Sequence, residues 1–140
     1  MLGRGVDLSQ YDSDGDGVLD GVCLVWTGQP KSDSSVWWPH SDTFYWNFQV
    51  GGVRIGSYSS LSYRHLTMGS AKQRNTALHE IGHLLGLPDY YDRVPESGNS
   101  GGCLSPDMMD QNQGDHNAFS KMLLGWVRPC LLYTSPSPRD

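Results

Sequence analysis

The sequence predicts an α+β domain in which sheet-forming segments precede one strong amphipathic helix. Three observations carry this reading. VCLVW at Val22–Trp26 is a continuous, partly β-branched run, a Gly51-Gly52 pair separates two strand-like runs, and a helical periodicity opens at Ser70 and stops at Gly86. At 140 residues the chain has the length of about one domain, and no internal repeat divides it.

Taken in order, VCLVW is closed by Thr27 and Gly28 and reads as a buried strand, and the polar GQPKSDSS behind it reads as loop. Residues 43–50 and 53–58 read as the arms of a hairpin whose Gly51 and Gly52 accept the positive φ of a tight turn. Ser70, with Gln73 three residues later, fits a capping box, in which each side chain satisfies a backbone donor at the helix start. Ala77, Leu78, Ile81, Leu84 and Leu85 then recur at helical spacing, so this helix is expected to pack that side on a core. Gly86 suits a left-handed helix end and Pro88 forbids continuation. Residues 90–107 carry no period. A second helix is expected over residues 117–124, with Asp115 as its N-cap.

Composition narrows the function. The formal charge is -5 and the basic residues form no stripe, which argues against a nucleic-acid partner. No apolar run reaches membrane length and no signal peptide precedes the first motif, so the chain reads as an internal fragment of a longer protein without a transmembrane segment. The run CLLYTSPSPRD, residues 130–140, resembles the translation of a transposase adapter from DNA library preparation and is set aside as non-native; residues 1–129 are taken as the domain. Cys130 aside, Cys23 and Cys103 fit one disulfide or two buried thiols equally well.

The densest chemistry lies in HEIGHLLGLPD. On a helix, His79 and His83 share a face and can present imidazole nitrogens to one point, while Glu80 projects from the same turn within reach of a water there. A catalytic zinc wants three protein ligands and an open fourth position, so the third must come from beyond the helix. A sharp turn at Gly86 can return Asp89 to the metal; Asp92, Glu96 and Asp107 are the alternatives. Upstream, DSDGDGVLD places Asp12, Asp14 and Asp16 at the first, third and fifth positions of an EF-hand-type loop, glycine at the sixth, the Val18 carbonyl at the seventh and Asp20 at the ninth. Cys23 stands where the bidentate Glu belongs and a strand follows instead of a helix, so the expectation is a structural Ca2+ site rather than a full EF-hand. An Asp-Gly turn without an ion is the alternative.

HEIGHLLGLPDYYD resembles the active-site segment of the immune-inhibitor-A-type secreted bacterial metallopeptidases, a metzincin-like group with aspartate in place of a third histidine. SPDMMDQNQGDHNAFSKMLLGW is similar to that family's downstream segment, YDSDGDGVLDGVCLVWTG to its upstream strand and acidic loop, and VWWPHSD to its tryptophan-and-histidine stretch. The resemblance implies a zincin-type catalytic domain: a mixed twisted sheet packed on an active-site helix, then an irregular loop, a Met-turn and a C-terminal helix. It implies a Zn2+ held by His79, His83 and Asp89, Glu80 as general base, and Met109, or else Met108, as the methionine beneath the metal. It further implies a secreted, monomeric endopeptidase acting on proteins or peptides. His116 matches a histidine of the family, and either an oxyanion donor or a helix-start histidine bonded to backbone is expected. His65 reads as a surface or core histidine, and His40 as structural near the cleft. A calcium-stabilised binding module and a catalytically silent zincin-fold protein are the rival functions.

Overall fold

The computed structural model describes residues 5–29, 36–67, 70–92, 102 and 106–130. The chain is mixed α+β, as expected, but among the described residues the strands form two small sheets rather than one. After a short 3-10 turn at Leu8–Tyr11 come β1 (Val18–Leu19), β2 (Val22–Trp26), β3 (His40–Thr43), β4 (Gln49–Val50), β5 (Val53–Ile55) and β6 (Ser57–Ser62). One sheet has the order β1-β5-β4, the other β2-β6-β3, and each combines a parallel with an antiparallel pair. The breaks fall at Asp20-Gly21 and at Gly56, where an added Cβ would stand 2.6 Å from Val18 Cγ1.

The Gly51-Gly52 turn is present, with φ of 60° and 88°, and joins β4 to β5 in antiparallel register. The arms differ from expectation. The strand expected over 43–50 begins at His40, breaks after Thr43 and resumes only at Gln49; the last bond in the β3–β6 register is that of the Phe44 N–H to the Gly56 carbonyl at 2.6 Å. The arm expected over 53–58 splits at Gly56, and its second half runs on to Ser62. Serines hid that strand, since SYSSLS lacks the apolar alternation of a half-buried strand although its last four residues are all buried.

VCLVW is a strand, but not a buried one: Leu24 and Val25 are each about half exposed and Cys23 is exposed. It lies at the edge of its sheet, while the long helix packs over β6 and β3. Cys23 therefore does not fit a buried thiol pair; Cys103 lies outside the described residues.

Among the described residues four helices follow: α1 (Tyr63–Thr67), α2 (Ala71–Leu84), α3 (Met108–Gln111) and α4 (Ala118–Leu123). Helix α2 has both halves of the Ser70–Gln73 capping box. It ends in a full Schellman arrangement, Leu87 N–H to Gly82 O and Gly86 N–H to His83 O, with Gly86 at φ 90°. Its buried side is not the expected leucine stripe. Ala77, His79, Glu80 and Gly82 are buried, whereas Leu78 and Leu85 are about half exposed, because the helix is wedged between a serine-faced sheet and α3. Helix α4 is capped by Asn117, whose side chain accepts from Ser120 N–H, and not by Asp115. Asp115 instead pairs with Lys121 and accepts from His116 N–H; these interactions hold its carboxyl below the usual carboxylate range.

Candidate metal centre

His79 and His83 project from one side of α2, with Nε2 atoms 3.2 Å apart. Their other ring nitrogens are anchored: His79 Nδ1 lies 2.8 Å from the Met108 carbonyl and His83 Nδ1 2.8 Å from the Leu87 carbonyl. A carbonyl only accepts, so each Nδ1 carries a proton and Nε2 is the ring atom each histidine turns to the same point. Asp89 enters from the chain leaving the Schellman turn, its Oδ1 2.9 Å from His79 Nε2 and 3.1 Å from His83 Nε2. The three donor atoms all lie within 4.8 Å of one another.

This set fits a zinc ion. Ligand atoms about 2.0–2.1 Å from a tetrahedral zinc stand roughly 3.3 Å apart, close to the separations here. Backbone carbonyls on the far ring nitrogens are the usual outer support of ligating histidines. Of the alternatives for the third donor, Asp92 is exposed and outside the cluster, and Glu96 lies outside the described residues. Asp107 is buried and committed elsewhere: Oδ1 accepts from Met109 N–H and Oδ2 from Asn117 N–H, each at 2.8 Å. It pins the turn that carries Met108 and Met109.

Glu80 is 7 % exposed and opens onto a cavity of about 520 Å3 shared with His79, His65, Trp38 and Tyr91. Two further cavities run along β3, one between Ser41, Asp42 and Tyr91, the other between Ser41, Asp42 and His83. The donor cluster thus sits in a cleft with α2 as floor and the edge strand β3 as rim. Tyr91 stacks on His79, ring centroids 6.2 Å apart. Burial, with a smaller contribution from the Glu80 charge, raises its phenol pKa, so the hydroxyl keeps its proton at neutral pH.

Met109 is fully buried, and its thioether fills the space above Gly82: a Cβ there would lie 2.6 Å from Met109 Sδ and 3.3 Å from His116 Cε1. The His116 ring is held edge-on to Trp126, and among the described residues its buried Nδ1 has no hydrogen-bond partner; its main-chain N–H donates to Asp115. The expected ring-to-backbone bond is therefore not made through Nδ1. His65 is a core histidine, 4 % exposed, with its pKa lowered by burial and the Ser62 backbone acting the other way. His40 is structural, its Nδ1 2.8 Å from the Trp38 carbonyl and its ring stacked on Trp38.

Two cleft residues, Tyr91 and Ser41, carry no motif spacing in the sequence, and neither does the buried Ser59 behind them. Gly82 did carry a signal, because glycine inside a helix costs up to about 1 kcal/mol and asks for a packing reason.

In the acidic loop, Asp12, Asp14 and Asp20 come together, within the same 4.8 Å limit. Asp16 does not join them; its Oδ1 accepts from Val18 N–H at 2.7 Å, while Val18 itself opens β1. Asp12 accepts from three backbone N–H groups, those of Gly15, Asp16 and Gly17.

No protein-family model matches this chain, and no curated protein is similar enough to count as a match. Fold and site therefore define it only as a mixed α+β chain with a partly buried His-His-Asp donor cluster in an open cleft.

Proposed function

We propose that residues 1–129 form part of the catalytic domain of a secreted zincin-type, metzincin-like zinc endopeptidase that cleaves extracellular proteins or peptides. The observation that carries this reading is the convergence of two anchored imidazoles and one carboxylate beside Glu80 in a cleft edged by a strand. His79, His83 and Asp89 hold the ion. When bound, zinc supplies Lewis acidity, which acidifies water towards a pKa of about 7 and polarises a peptide carbonyl.

The chain's own groups do the rest. Glu80 takes the proton of the attacking water and delivers it to the leaving amine, a division of labour that needs a carboxylate near the ligands but not among them. Asp107 and the Met108 carbonyl keep His79 in its working tautomer, and the buried thioether of Met109, packed on Gly82, gives the ligand-bearing helix an apolar floor. Tyr91 offers a protonated hydroxyl to the same cleft. A Ca2+ ion held by Asp12, Asp14 and Asp20 belongs to the same reading as a structural ion ahead of β1.

Zinc content and chelator-sensitive casein cleavage test the proposal. About one zinc per chain, with cleavage lost on chelation and restored by zinc, is expected. Absence of both zinc and cleavage refutes it.

A further inference from the structure

Four serines of strands β3 and β6 have bonded hydroxyls, divided between the two faces of the sheet. On the face turned away from α2, Ser60 Oγ accepts from Trp26 Nε1 at 3.1 Å, and Ser62 Oγ donates to the Gly28 carbonyl at 2.8 Å. The remaining two serve the helix. Ser41 on β3 and Ser59 on β6 are direct cross-strand partners in the antiparallel ladder, so their side chains leave the sheet on one face. Ser59 Oγ lies 2.8 Å and Ser41 Oγ 2.9 Å from the backbone carbonyl oxygen of Glu80, and the two hydroxyls stand 2.6 Å from each other. Ser59 is fully buried.

Three short contacts share two protons. At least one hydroxyl must therefore donate to the Glu80 carbonyl, and the other either joins it or donates to its neighbour. Packing alone does not call for this. Alanine would permit the same close approach of helix and sheet, and a buried hydroxyl is favourable only where its partner is held in place. Here the partner is the main chain of the residue whose carboxylate faces the cleft, one position after His79. Ser41 also lines the cavities on either side of the rim, beside Tyr91 and beside His83.

We propose that Ser41 and Ser59 are positioning residues: their hydroxyls pin the Glu80 main chain to β3 and β6, fixing the rotation of α2 and so the aim of the Glu80 carboxylate relative to the cleft rim. This rests on the endopeptidase reading, since it assigns Glu80 a task that depends on its aim. A misplacement of about 1 Å can cost on the order of 100-fold in rate, so a tether at this carbonyl has leverage that one elsewhere on the helix lacks.

Threonine and valine at position 41 test the idea on the full chain, because they share a shape and differ in the hydroxyl. S41V is expected to lower kcat about 10-fold with KM and zinc content held within about twofold, while S41T stays near wild type. S59A is expected to follow S41V. In an E80Q background the S41V change should have no further effect, since its influence runs through the Glu80 carboxylate. Equal kcat for S41V and S41T overturns the inference, as does a rise in KM alone or a full S41V effect in the E80Q background. If S59A fails to fold, the position-41 pair still decides. A wild-type chain with neither zinc nor cleavage overturns the parent reading as well, and so differs from failure of the tether alone.

Discussion

At His79, His83 and Asp89 the donor atoms converge inside the protein, with side chains of His79 and Asp89 only 5 % exposed. At Asp12, Asp14 and Asp20 a group of comparable compactness stands in a loop that is largely exposed. The outer support differs as well. The imidazoles use their far nitrogens on carbonyls and leave Nε2 turned inward, whereas Asp12 already accepts from three backbone N–H groups. Burying a carboxylate between two imidazoles is costly unless a cation or proton balances it. An exposed acidic loop incurs no such cost, and backbone donors alone can organise it. Compactness of a cluster is therefore a weak guide to a metal, and burial with directed lone pairs is a stronger one.

The sharpest way to break this contrast is Glu80→Gln, which leaves the donor cluster intact. Cleavage should fall by about 100- to 10,000-fold with zinc content unchanged; retained cleavage in a zinc-loaded variant removes Glu80 from its role.

Next comes a paired comparison of metal affinity. Asp89→Ala should weaken zinc binding by more than the roughly 10- to 100-fold that loss of an outer partner costs, while leaving any calcium-induced rise in Tm unchanged. Asp14→Ala should do the reverse, abolishing the calcium response and sparing zinc. Calorimetric titration of both ions into both variants checks this, and crossed effects would show that the two regions are coupled.

Gly82→Ala is the third test. The gain in helix propensity is about 1 kcal/mol, but the added methyl must displace Met109 at a cost of roughly 1–3 kcal/mol. A net loss near 1 kcal/mol, or a Tm lower by about 4 °C, is expected in thermal melts. A rise in Tm would mean that the methionine floor yields freely.

The smallest effect concerns His65. Burial lowers its folded-state pKa below the ordinary 6.5, so at intermediate pH the unfolded chain binds more protons than the folded one. Its contribution is thus fully present above pH 6.5 and is lost as pH falls from there towards the lowered value. Denaturant midpoints should drop less between pH 7.5 and 5.5 in His65→Gln than in wild type, and parallel pH profiles would contradict this.

Much of the site was legible in the sequence because it is local. The capping box, the i, i+4 histidines, the Gly86 turn and the return of Asp89 all lie within residues 70–89, where helix geometry alone fixes who can meet whom. The sheet was less legible. Strand β6 is serine-rich and buried, and β2 is apolar and exposed, the reverse of what residue type predicts, because burial in a sheet depends on which face a distant helix covers. The capping of α4 was misjudged by two residues for a similar reason: Asp115 is drawn to Lys121, leaving Asn117 to satisfy Ser120 N–H.

By itself, then, the sequence determined the helix that bears His79, Glu80 and His83, its two ends, and the ligand chemistry it displays, since each follows from contacts no more than ten residues apart. Only the tertiary structure decided which carbonyl orients the His79 imidazole and which hydroxyls hold the Glu80 main chain. Those partners come from β3, β6 and α3, as much as 39 residues away from α2 along the chain, and no local periodicity encodes a contact across that distance.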